Sequence, residues 1–134
     1  MIKQIFYAES YWKVIVYYNV DYNFFCDIVL ELIRAKASRN LISDIYYNMY
    51  NRKAKAVTFS NTNRHISIVL FNTHTKTKDY INSIVHEAEH VKQAMLEAYK
   101  VEDKGEPPAY TIGYLVGEMY KEFNPIIFPL QKYE

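Results

Sequence analysis

Between Asp79 and Lys100 apolar side chains recur at helical spacing, and inside that run stands His86-Glu87-Ala88-Glu89-His90. The pattern constrains the chain strongly, because it demands a helix with two imidazoles one turn apart on a single face. At about 100° per residue, Ile81, Ile84, Ala88, Val91, Met95 and Tyr99 gather in one broad arc, which predicts the core face. Asn82, His86, His90, Gln93 and Glu97 gather on the opposite side. The two histidines therefore belong to a polar stripe. Glu87 lies about 100° round the helix from His86, at the edge of any site the imidazoles form. With 4 His in 134 residues, chance yields such an element roughly 0.01 times per chain of this composition. That rarity makes chemistry worth weighing against the plain alternative of a solvated helix face.

A polar stripe becomes a metal site only when another segment brings a third ligand. Past a polar break at Val101-Glu102-Asp103-Lys104-Gly105, the residues from Glu106 onward read as a new helix. Pro107 and Pro108 are tolerated there, because first-turn N–H groups lack intrahelical partners. Ile112, Leu115, Val116, Met119 and Phe123 form its apolar face, while Glu106, Tyr110, Gly113 and Gly117 form a second line. Helical glycine costs about 1 kcal/mol relative to Ala, so two on one line suggest close backbone contact with the histidine helix. Such a contact would carry Glu106 toward His86 and His90, and two His plus one Glu is a catalytic zinc shell. Glu118, Glu102 and Asp103 are competitors for that position. A carboxylate favoured by the helix N-terminus also accounts for Glu106.

The combination of H-E-x-x-H with a downstream glutamate helix resembles the gluzincin type of zinc metallopeptidase. More narrowly, His86-Glu87-Ala88-Glu89-His90 followed by Gly105-Glu106-Pro107-Pro108-Ala109-Tyr110 is similar to small predicted metallopeptidases of phages and bacterial mobile elements. The resemblance covers roughly residues 79–118. It implies Zn2+ held by His86, His90 and Glu106, with Glu87 as general base and acid. Its substrate would be a peptide or protein. Tyr110, on the Glu106 side, is the candidate donor to a developing oxyanion. By the same resemblance, an edge strand beside the metal captures extended peptide, a part expected of Arg64–Asn72. The chain departs from full-size gluzincins in being short and in carrying Tyr at position 110. Two rivals follow: a gluzincin-like binding or regulatory module with a structural or lost metal, and a hydrolase of some other amide or ester.

The remaining chain reads as one α+β domain over residues 1–134, with a small antiparallel sheet. Ile2–Tyr7 and Tyr11–Val20 read as strands, Asn23–Ala37 and Leu41–Tyr50 as helices. Ala54–Ser60 and Arg64–Asn72 read as a hairpin about Asn61-Thr62-Asn63. Ile66, Ile68 and Leu70 alternate with Ser67, Val69 and Phe71, which suggests burial on both faces. Thr77 or Asp79 is expected to cap the histidine helix. Asn124-Pro125 is expected to end the last helix, leaving Ile126–Leu130 as an extended tail. Tyr17-Tyr18 and Tyr46-Tyr47 read as one ring in and one partly out. His65 and His74, flanking a strand, read as surface residues.

The net charge is +1, and Arg52-Lys53-Ala54-Lys55 is the one basic cluster. It reads as a solvated loop, so a nucleic-acid partner is not expected. No run approaches the ~18 apolar residues of a membrane span, and no secretory signal is evident. The lone Cys26 has no partner for an internal disulfide, fits a helix–core contact, and points to a reducing, cytoplasmic setting.

Overall fold

A computed structural model describes residues 1–131; the side chains of Ser10 and of residues 123–131 lie outside the described set. In chain order the elements are β1 (Ile2–Ala8), β2 (Trp12–Tyr18), α1 (Phe25–Arg34), α2 (Arg39–Tyr50), β3 (Ala56–Asn61), β4 (Ile66–Phe71), α3 (Thr77–Tyr99) and α4 (Glu106–Gln131), with short 3-10 turns at Glu9–Tyr11 and Tyr22–Phe24. The fold is α+β, as expected. The sheet runs β1-β2-β4-β3. It is mixed rather than antiparallel throughout, because β2 and β4 pair in parallel. A parallel pair needs a long crossover. Here the segment between β2 and β4 supplies it, with α1, α2 and β3 in the return path.

The sheet is covered on both faces, and side-chain alternation sorts the central strands between two cores. Trp12, Val14, Val16, Tyr18, Val69 and Phe71 pack with residues of α3 and α4. Ile15, Tyr17, Ile68 and Leu70 pack with α1 and α2. This two-sided cover buries Ser67 through Phe71, as the alternation predicts. It also corrects the expectation for Tyr17-Tyr18, since both rings are fully buried, one in each core. Tyr46 and Tyr47 are instead both exposed. Cys26 is exposed too, because it falls off the Phe25, Ile28 and Leu32 stripe that α1 buries.

The hairpin turn forms where expected. Asn61 Oδ1 accepts from the N–H groups of Asn63 and Arg64 at 3.0 and 3.3 Å, while the left-handed residue is His65, at φ 52°. β4 pairs with β2 on one side and β3 on the other, so Arg64–Asn72 is internal and the edge strand is β3. The histidine helix starts without a side-chain cap; its N-cap is Lys76, with Asp79 in the first turn. Its buried arc runs through Tyr80, Ile84, Glu87, Ala88, Val91 and Met95, and Ile81 is 45% exposed. The core face is thus rotated toward Glu87. At the other end α4 continues helically through Pro125 and Pro129 to Gln131, so Ile126–Leu130 is helical and not an extended tail. Each proline removes one N–H donor from the ladder, and the helix forgoes those bonds. Leu115 and Met119 are buried and Ile112 and Val116 pack against the same core, while the side chain of Phe123 is outside the described set.

Candidate metal centre

α3 lies over the β3 side of the sheet with Glu87 turned inward. Glu87 is 4% exposed, and its Oε1 accepts a 3.0 Å hydrogen bond from Thr58 Oγ1 of β3. Burial pushes its pKa up; the Thr58 hydroxyl and the neighbouring His86 and His90 pull the other way. One position earlier the helix has turned to solvent, and the His86 side chain is 70% exposed.

The two imidazoles converge. His86 Nε2 and His90 Nε2 are 3.2 Å apart, with the rings edge to face and their centroids separated by 4.8 Å. Two nitrogens bound to one tetrahedral zinc at about 2.0–2.1 Å would stand roughly 3.3 Å apart. The pair therefore fits the spacing two zinc ligands need. His86 Nε2 also lies 3.8 Å from Glu87 Oε2, which puts the inward carboxylate beside the imidazole tips. A cavity of about 340 Å³ opens here, lined by Lys55, Ala56, Asn82, Ser83, His86 and Glu87 among others.

Among the described residues Glu106 is not grouped with the pair. It is exposed at the start of α4. Tyr110 is 69% exposed and lines a separate cavity with Tyr7, Ala8, Glu9 and Tyr114. That cavity adjoins β1, whereas Glu87 faces β3, and the two strands are the opposite edges of the sheet. Three strand spacings separate them, about 14 Å. Gly113 and Gly117 do not mark a close helix contact: α4 turns Leu115 and Met119 to the core, and a Cβ at either glycine would meet nothing within 4 Å. The competitors have other partners. Glu118 pairs with Lys121 at 2.8 Å, Glu102 with Lys104 at 3.0 Å and Asp103 with Lys92 at 3.0 Å. Among the described residues, no group of three or more His, Cys, Asp or Glu is arranged to hold a metal ion.

The structure adds residues that spacing did not mark. Thr58 carries no signal as a partner of Glu87, since only sheet pairing brings β3 beneath α3. His74 is buried, not superficial: Nδ1 is 2.6 Å from the Asn72 carbonyl oxygen and Nε2 is 2.7 Å from Ser83 Oγ. His65, by contrast, is half-buried and stacks on Trp12 at 5.4 Å between centroids.

Comparison of the chain with protein-family models, with curated proteins and with solved structures finds no match.

Proposed function

We propose that this chain is a zinc-dependent hydrolase of the H-E-x-x-H type, acting on peptide bonds with His86 and His90 as metal ligands and Glu87 as proton acceptor. The 3.2 Å separation of the two Nε2 atoms carries the reading. A divalent ion held by His86 and His90 would supply a polarised, readily deprotonated water. Glu87 supplies the base: a carboxylate held by Thr58 and raised in pKa by burial is better matched to neutral pH than a solvated one. On this reading the same carboxyl group delivers its proton to the leaving amine. β3 is the sheet edge beside the cavity, so an extended peptide would add to it by main-chain hydrogen bonds. Glu106 and Tyr110 have no part in this reading, and the rest of the metal shell would be water or substrate. The reading extends to a cytoplasmic setting without nucleic-acid or membrane partners; no helix among the described residues is long and apolar enough to cross a membrane.

One observation favours a second reading, that of a protein-binding module without hydrolysis: the described residues offer two imidazoles but no third ligand. Metal analysis of purified protein, followed by digestion of a peptide library, separates the two. One zinc per chain, lost in His86→Ala, together with cleavage lost in Glu87→Gln, supports the hydrolase. A folded protein that takes up no zinc overturns the metal centre and leaves the binding module. Zinc uptake without cleavage of any peptide or ester overturns the catalytic part alone.

A further inference from the structure

Ser83 sits one helical turn before Glu87 and lines the same cavity. A serine inside a helix usually returns its hydroxyl proton to the carbonyl four residues back. Thr111 does so in α4, donating to the Pro107 carbonyl at 3.0 Å. Ser83 instead turns to His74 Nε2 at 2.7 Å.

The tautomer of His74 follows from its other nitrogen. Nδ1 lies 2.6 Å from a backbone carbonyl oxygen, which only accepts, so Nδ1 carries the proton. Nε2 of the neutral ring is then the acceptor, and the Ser83 hydroxyl donates to it. The ring is held further by stacking on Tyr80, centroids 4.3 Å apart, and is buried. A hydroxyl bonded to a base, with the base oriented by a third group, is the arrangement that activates a serine nucleophile. Here the Asn72 carbonyl takes the place of a carboxylate.

We propose that Ser83 and His74 form a nucleophile–base pair that accepts acyl or phosphonyl groups from small activated esters entering the cavity. In the acyl case Ser83 Oγ bonds to the ester carbonyl carbon as its proton passes to His74 Nε2. The C–O bond to the alcohol then breaks, and the departing alkoxide takes the proton back from Nε2. The Asn82 amide and the Lys55 ammonium are the donors lining the cavity that can face the oxyanion. Water attacks the acyl-serine with His74 again as base, which restores the free hydroxyl. The pair uses neither His86 nor Glu87 and does not depend on the metal reading.

A fluorophosphonate probe tests the pair on the full chain dialysed against chelator, with intact mass and peptide mapping as readouts. One adduct per chain is expected, on Ser83, absent in Ser83→Ala and slowed about 100-fold in His74→Gln. A folded protein that gains no adduct at Ser83 overturns the proposal, as does labelling at the same rate in His74→Gln. Should His74→Gln not fold, Ser83→Cys in a Cys26→Ser background gives a second measurement. Alkylation by iodoacetamide at pH 6.5 should then run at least about 10-fold faster than for a free thiol. A rate equal to the free thiol overturns the base role of His74. Labelling that requires added zinc would place the activity in the metal centre and remove the Ser83 proposal.

Discussion

Thr58 Oγ1 of the edge strand donates to Glu87 Oε1 across 3.0 Å, tying β3 to the helix that bears both histidines. The bond favours the charged carboxylate and opposes the upward shift from burial. Thr58→Val removes the donor at nearly constant volume, so the pKa of Glu87 should climb further. In the proposed hydrolysis ionised Glu87 is the proton acceptor, so cleavage should fail as pH falls through that pKa. The acid limb of kcat/KM against pH should therefore move to higher pH in Thr58→Val and return in Thr58→Ser. The lost bond should also lower stability by about 1 kcal/mol, measurable by denaturant titration. An acid limb that stays in place in Thr58→Val would assign it to another group.

Glu87→Gln separates stability from activity. The folded-state pKa of Glu87 is raised above its ordinary value of 4.5. Its ionisation thus weakens the fold as pH rises through the raised value, and has no effect below the ordinary one. Glu87→Gln keeps an acceptor for Thr58 and drops the buried charge. It should be more stable than the parent at pH 7, with the gap closing near pH 4. Cleavage should fall at least about 100-fold, with zinc uptake retained. A variant less stable at both pH values would contradict the burial argument.

The metal proposal makes a sharp division along the chain. His86→Ala and His90→Ala should each abolish stoichiometric zinc uptake while shifting stability by no more than about 0.5 kcal/mol, because both rings are exposed. Glu106→Gln and Tyr110→Phe should leave zinc affinity unchanged, since Tyr110 adjoins the opposite edge of the sheet and Glu106 is exposed at the start of its helix. Titration calorimetry on the four variants reads this directly. A large loss of affinity in Glu106→Gln would show that α4 can reach the imidazoles.

Gly113 and Gly117 offer a test that involves no ligand. Their α-carbons face open space in the middle of a helix. Gly113→Ala and Gly117→Ala should each raise stability by up to about 1 kcal/mol through helix propensity and a less flexible unfolded chain. Thermal melts of the single and double variants check it. Destabilisation at either position would reveal a close neighbour.

Local pattern made much of the molecule legible. The 3–4 spacing of Ile84, Ala88, Val91 and Met95 selects a helix, and that helix by itself sets His86 and His90 one turn apart on one face. Alternation through Ile66–Phe71 marks a strand with both faces covered, and Asn61 marks the hairpin, because its side chain closes the turn locally. These features depend on residues within a few positions of each other, so the order of side chains suffices to specify them. Long-range choices were not encoded that way. Whether β4 is edge or centre depends on β2 pairing with it in parallel, a contact between residues 53 positions apart, as in Lys13 with Ile66. Which flank of α3 meets α4 is also a tertiary choice, because two amphipathic helices can satisfy their apolar faces in either arrangement. The partners of Glu87, Ser83 and His74 were likewise set by tertiary packing: a buried polar group takes whatever donor or acceptor the fold brings to it, and no spacing rule announces which one that will be.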